Sequence, residues 1–397
     1  MTSHIQWFNL YSLCFGNTNC AHTIQTRMVS CALYEHLSKL LSIEIIKMKS
    51  KSGVLALITV SIFCLITSSC ERIIEKKDPF KVISLGSLTD DIPFEELGSG
   101  KIVFQRNLYQ DDPEFYVIDI DQKRSWGFRL KSSISHPSVS PDGTKIACSI
   151  YGDQFPHTLN IHCMNIDGSD CFQIPQSVGG DYPTWTPDGS HILYFSSEGP
   201  LHMISATENA NDRVTMVEFL DSYDPYTCIH PSGGFSMSPD GQLLCSSIGG
   251  CSHSVGILKI EPQVLNGVSI LLPNQINGEP VSPVYSPDGT KIAFALLEYD
   301  SVEDQHTIRI NTMDPDGTNI TSLVSIETSR EALQFTLWGF YSFITLSWSP
   351  GGDMILFNAP NEQNDGYHLM AVNADGSGLI QVTDEINSND YYVSWGR

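Results

Sequence analysis

Val139-Ser140-Pro141-Asp142-Gly143-Thr144-Lys145-Ile146-Ala147 decides the fold, because the same phrase recurs along the chain. It returns as Trp185-Thr186-Pro187-Asp188-Gly189-Ser190-His191-Ile192-Leu193 and as Met237-Ser238-Pro239-Asp240-Gly241-Gln242-Leu243-Leu244. Two further copies are Tyr285-Ser286-Pro287-Asp288-Gly289-Thr290-Lys291-Ile292-Ala293 and the degraded Trp348-Ser349-Pro350-Gly351-Gly352-Asp353-Met354-Ile355-Leu356. The leading Ser or Thr stands at 140, 186, 238, 286 and 349, spacings of 46, 52, 48 and 63, which are periods of propeller blades. Pro sets φ at the first turn position, Asp bonds backbone locally, and Gly takes the positive φ that sends the chain back as a hairpin.

A second hairpin signal lies inside several units: Asn165-Ile166-Asp167-Gly168-Ser169-Asp170, Asp314-Pro315-Asp316-Gly317-Thr318-Asn319 and Asn373-Ala374-Asp375-Gly376-Ser377-Gly378. Each unit therefore reads as strand A, S-P-D-G turn, strand B, long loop, strand C, D-G turn and strand D. At the domain's start, 101–105, 115–119 and 126–130 read as strands B, C and D without an A, while 391–395 reads as an A with nothing after it. Joining the two removes open sheet edges. The expected fold is all-β: a six-bladed propeller of four-stranded antiparallel blades, its ring closed by strands from both termini.

These S-P-D-G repeats make residues 100–397 resemble the TolB-type propellers, which have WD-like repeats of this kind. The family's namesake is a periplasmic protein of the Tol-Pal envelope system with an α/β domain ahead of its propeller; the resemblance is specific for fold and much weaker for function. Residues 71–99 are too short for such a domain, so the chain departs from the family there.

The composition narrows the function. With 22 Lys+Arg against 45 Asp+Glu the net charge is −23, which repels a polyphosphate backbone and excludes nucleic acid as an expected partner. No dinucleotide fingerprint, Walker loop, H-E-x-x-H or G-x-S-x-G motif is present. No cofactor is expected.

Residues 53–67 are apolar, follow Lys47, Lys49 and Lys51, and end in Thr67-Ser68-Ser69-Cys70. That is the form of a signal peptide, shorter than the ~20 residues a spanning helix needs. Cys70 resembles the acylated Cys of a bacterial lipobox, although Thr67 stands where Leu is usual. Met48 opens a compact basic segment, so the expected organisation is 1–47 as upstream translation outside the native protein, 48–69 as signal peptide, 70–99 as lipid-anchored tether and 100–397 as propeller. The expected location is the cell envelope, with Glu71 after the Cys favouring the outer membrane, and a monomer is expected.

Turn chemistry accounts for the carboxylates of the D-G turns, since Asp314-x-Asp316-Gly317 lacks the glycine position and terminal Glu of an EF-hand loop. No His pair has metal spacing within one segment. In a propeller the long loops open on one face, and here they carry aromatics among acids: Tyr109, Asp112, Asp153, Tyr223, Tyr226, Tyr299, Asp304, Trp338, Tyr341 and Tyr367. These are the candidate ligand-face residues. The 325–345 insertion, which stretches one spacing to 63, makes Trp338 the leading single contact, with packing between blades the competing reading. A disulfide between Cys228 and Cys251 is favoured by loops expected on one face, with Cys245–Cys251 the competing pairing. Cys148, Cys163, Cys171 and Cys245 fall in strand-like runs, where a free thiol packs as a small apolar group.

The functional expectation is an envelope-anchored binding protein that contacts a protein or cell-wall glycan through its long-loop face. The alternative is a lyase-like, polysaccharide-active enzyme with its site in the funnel. Acylation is directly testable: labelled palmitate fed to producing cells should enter the wild-type chain and not Cys70→Ala. Equal label in both would refute it.

Overall fold

Each S-P-D-G phrase folds as a turn bonded to itself. Ser140 Oγ donates to Asp142 Oδ1 at 2.6 Å, the same oxygen accepts from Thr144 N at 3.1 Å, and Ser140 Oγ accepts from Lys145 N at 2.9 Å. Thr186 with Asp188 and Ser286 with Asp288 repeat these bonds. In the degraded copy Gly351 stands where the Asp should be, and Asp353 replaces it from the other side of the turn, accepting from Ser349 Oγ at 2.6 Å. Gly143 shows why the glycine is needed: its φ is +66°, and a Cβ there would lie 1.5 Å from the Arg397 carbonyl oxygen.

The computed structural model describes residues 81–108, 113–151, 158–196, 201–217, 230–248, 256–261, 268–273, 278–300, 305–328, 344–360, 366–386 and 388–397. Strands β1 (Ile83–Gly86), β2 (Lys101–Leu108), β3 (Glu114–Asp119) and β4 (Arg124–Arg129) come first. Four separate four-stranded antiparallel sheets follow. They are β5 (Ile134–Val139) to β8 (Phe172–Val178) through β6 (Lys145–Tyr151) and β7 (Leu159–Asn165), then β9 (Gly180–Trp185), β10 (His191–Ser196), β11 (Leu201–Ser205) and β12 (Val214–Val217). The next two are β13 (His230–Met237), β14 (Leu243–Ile248), β15 (Gly256–Ile260) and β16 (Val268–Pro273), and β17 (Gly278–Tyr285), β18 (Ile292–Asp300), β19 (Gln305–Met313) and β20 (Thr321–Thr328). The chain ends with β21 (Leu346–Trp348), β22 (Met354–Pro360), β23 (Tyr367–Asn373), β24 (Ile380–Gln381) and β25 (Ser388–Gly396).

Four blades thus stand apart as separate sheets, where six were expected. The remaining strands form one nine-stranded sheet, ordered β1-β4-β3-β2-β25-β23-β22-β21 with β24 on β23. The join is a parallel bridge between Tyr367 and Asn389, where the Asn389 side-chain oxygen also accepts from Tyr367 N at 3.2 Å. The C-terminal β25 pairs antiparallel with β2, so strands from both ends of the propeller region share a sheet as expected.

The innermost strands touch in a closed cycle, β25 to β5, β9, β13, β17, β21 and back to β25. Serine hydroxyls recur along it: Ser394 Oγ accepts from Val139 N, Ser236 Oγ from Tyr285 N and Ser347 Oγ from Trp395 N, at 2.9–3.0 Å. Indoles bridge other steps, Trp185 Nε1 donating to Ser138 O at 2.9 Å and Trp348 Nε1 to Val284 O at 3.1 Å. Between successive strand groups lie apolar clusters, such as Val103, Phe128 and Ile146 or Ile161, Ile192 and Tyr194.

Residues 81–99, expected as the end of a tether, are built into the fold. β1 adds a fifth strand outside β4, and Leu97 is fully buried in a cluster with Phe104 and Trp395. Asp90 enters a buried ion network. Arg106 on β2 lies directly across from Asp390 on β25 and holds it with Nε and Nη2 at 2.7 and 2.8 Å. The same guanidinium reaches Asp90 at 2.9 and 3.1 Å, and the three side chains are at most 3% exposed.

Two outcomes follow for stability. Arg106→Ala leaves two buried carboxylates without their cation and should cost about 3–5 kcal/mol in denaturant unfolding, the range for breaking a buried pair by one partner; a loss under about 1 kcal/mol would deny the network its role. The turn carboxylates predict the acid response. The Thr186 hydroxyl and the Ser190 hydroxyl and N–H hold Asp188 down to about 2, and the Ser286 hydroxyl lowers Asp288. A carboxyl lowered on folding stabilises above its unfolded value near 4 and loses that contribution as pH falls through the folded one. The stability gap between wild type and Asp188→Ala, measured by urea unfolding, should therefore narrow from pH 4 to pH 2.

Candidate functional site

Five of the six strands in the inner cycle depart from regular pairing at one place each. The register slips within β5, β9, β13, β17 and β25 against their neighbours. In four of them the residue four before the Ser or Thr that opens the turn, or its equivalent in β25, has a left-handed backbone: His136, Tyr182, Ser282 and Tyr392, with φ of 51–54°. For bulky residues this conformation is uncommon and costs about 1–2 kcal/mol.

Three of the four are rings on adjacent strands, and they meet. The His136 imidazole lies 4.0 Å from the Tyr182 ring centroid and 4.2 Å, edge on, from that of Tyr392. Its Nδ1 is 2.7 Å from Asp181 Oδ1, which also accepts from Ser149 Oγ at 2.6 Å and from Tyr182 N at 2.9 Å. Burial pushes the Asp181 carboxyl up, but the charge and hydrogen bond of His136 with the Ser149 and Tyr182 donors outweigh it, so the group sits below the usual carboxylate range. An ionised carboxylate only accepts, so Nδ1 carries the proton. His136 Nε2 is buried and has no hydrogen-bond partner among the described residues.

His136, Tyr182 and Tyr392 line a channel of about 990 Å³ along the inner strands, with Phe235, Tyr285 and Trp348 on other parts of its wall. Lys145 and Arg397 are the lysine and arginine among its described lining residues, and both sit by the S-P-D-G turn at 140–143, where Arg397 N donates to Pro141 O. The arrangement can stack a ring-shaped ligand and present one oriented imidazole.

Of the ligand-face residues expected from sequence, Tyr109, Asp112, Asp153, Tyr223, Tyr226, Asp304, Trp338 and Tyr341 lie outside the described residues, as do Cys70, Cys228 and Cys251. Tyr299 is on β18, 41% exposed, its ring stacked on His306 at 4.6 Å. Tyr367 is 3% exposed, buried beside Tyr391 rather than presented on a face, and burial raises its hydroxyl pKa. The structure does not bring these two together with the channel cluster.

The D-G carboxylates serve their turns, Asp167 accepting from Ser169, Asp316 from Thr318 and Asp375 from Ser377. Cys148 and Cys163 are buried free thiols, raised by burial, Cys163 to about 12, and Cys171 is half-buried. Among the described residues no group of three or more His, Cys, Asp or Glu could hold a metal, and no helix is long and apolar enough to cross a membrane. Sequence reasoning missed His136, Asp181, Tyr182 and Tyr392. His136, Tyr182 and Tyr392 share one signal, a fixed distance from the end of each A strand, and Asp181 directly precedes Tyr182.

No protein-family model matches the chain, and no curated protein is significantly similar to it. Solved structures do resemble it. TolB from Acinetobacter baumannii aligns with a TM-score of 0.53 at 17% identity, covering 76% of this chain and 67% of that one. An oligogalacturonate lyase in complex with manganese aligns at 0.39 and 10% identity, covering 76% of this chain and 84% of its own. The oligogalacturonate lyase from Vibrio parahaemolyticus aligns at 0.37 and 10%, covering 77% and 85%. At these identities the TolB likeness speaks for the fold alone: the chain has a TolB-like propeller scaffold.

Proposed function

We propose that the chain is an envelope-anchored, six-bladed propeller that works as a binding protein, taking a protein or cell-wall component at the axis and the long-loop face. The blade count is supported by the closed cycle of inner strands, which counts the nine-stranded sheet as two blades sharing the Tyr367–Asn389 bridge. The observation that carries binding is the channel of about 990 Å³ walled partly by half-buried rings, His136, Tyr182 and Tyr392. Anchoring through Cys70 would hold the propeller at a membrane by the short segment that ends at β1. Trp338 would add an aromatic contact from the 325–345 insertion.

A second reading, a polysaccharide-active enzyme, is favoured by one feature, the His136–Asp181 pair, because a carboxylate-held imidazole is a competent general base. Capture from solubilised membranes with the lipidated full chain, followed by identification of the bound species, tests the first reading. A discrete partner should be retained, and Trp338→Ala should weaken its retention about tenfold or more. Polysaccharide that gains reducing ends with wild type but not with His136→Gln would instead establish the enzyme.

A further inference from the structure

We propose that the His136–Tyr182–Tyr392 sector of the channel is a binding site for a neutral saccharide ring. This rests on the binding reading above and gives it a place and a ligand class.

The bulge does not require these residues. Gly meets a left-handed position at least cost, and the equivalent positions in other repeats hold Gly234, Ser282 and Thr345. The three bulky rings stand instead on neighbouring strands, β25, β5 and β9, so one side of the axis is aromatic. Mutual packing does not finish them, because all three are half-buried against the channel rather than sealed in the core. Rings left partly bare at a concave wall suit the C–H faces of a sugar.

The polar chemistry selects the same ligand. With Nδ1 committed to Asp181, the buried Nε2 of His136 has no partner among the described residues and calls for a hydroxyl, which can donate to it or accept from it. Nε2 is shielded from solvent, so a ligand hydroxyl reaches it only with a local shift of the groups packed around the imidazole, the Tyr182 and Tyr392 rings among them. The charge beside it is the Asp181 carboxylate, and the chain as a whole carries −23, which disfavours uronates and phosphates. Hydroxyls of Ser138, Thr184 and Ser394 line the channel nearby and suit a polyhydroxylated ligand.

Titration calorimetry of the full chain with a tetramer of N-acetylglucosamine, a maltotetraose and a trigalacturonate tests this. One or both neutral oligomers should bind, the uronate should not, and near-ultraviolet circular dichroism should change as the tyrosines move. Tyr392→Gly and His136→Gln should weaken binding at least about tenfold, while Ser282→Gly leaves it unchanged. Glycine suits the backbone at 392, so an unchanged melting temperature in that variant separates lost contact from lost fold. The inference is overturned if neither neutral oligomer binds up to about 10 mM, if the uronate binds more tightly, or if both site variants bind like wild type. Membrane capture of a partner that persists in both variants, without saccharide binding, would sink this site and leave the binding reading standing.

Discussion

A closed ring of sheets has one seam where the first and last strands of the ring must find each other, and here a single guanidinium sits in it. Arg106 faces Asp390 directly across the β2–β25 pair and turns its remaining edge to Asp90. Two carboxylates share one cation in a dry site, which is tolerable only because other donors help. Thr383 Oγ1 donates to Asp390 at 2.6 Å, and the N–H groups of Asp384 and Glu385 donate to Asp90. Burial raises the Asp90 carboxyl, yet the Arg106 contact and those backbone donors bring it below its ordinary value. Asp390, wholly buried, is pushed up by burial despite the same cation. The rings of Phe104 and Tyr116 lie 5.4 and 5.5 Å from the guanidinium carbon and complete its surroundings.

Away from that seam the ring is assembled from units that need little help from their neighbours. A turn whose Ser, Asp and following backbone N–H groups satisfy one another fixes the A–B hairpin locally, and this is why the repeat is visible in the sequence. The degraded copy makes the same point. Gly351 removes the usual carboxylate, and the chain keeps the turn by moving the acceptor to Asp353. Between blades lie apolar clusters, and the polar contacts there are simple, a hydroxyl or an indole reaching the next inner strand's backbone.

The features legible in the sequence are mostly the local ones, strand order within a unit and the turn aspartates; the pairing of 391–395 with 101–105 is distant, yet legible because each stretch by itself is an incomplete blade. The segment at 81–99 was not legible, because its strand is short and its binding to the fold depends on Asp90 meeting Arg106 and the backbone of Asp384 and Glu385, the last two nearly 300 positions away. Joining of two strand groups through Tyr367 and Asn389 likewise depends on a contact between distant residues. The ring cluster at the axis failed for another reason. His136, Tyr182 and Tyr392 look like ordinary strand residues one at a time, and their relation appears only when the repeats are aligned on the turn and the bulge is known.

That relation also separates what the architecture requires from what this chain has added. The register slip belongs to the fold, since it recurs in β13 and β17 with no ring at the site. The choice of His and two Tyr belongs to the chain. Each accepts a strained backbone that glycine would relieve, and together they orient an imidazole on Asp181 with its second nitrogen unused. Strain that the scaffold does not demand, gathered on three adjacent strands around one titratable ring, is a reason to look for ligand chemistry at the axis as well as on the long-loop face.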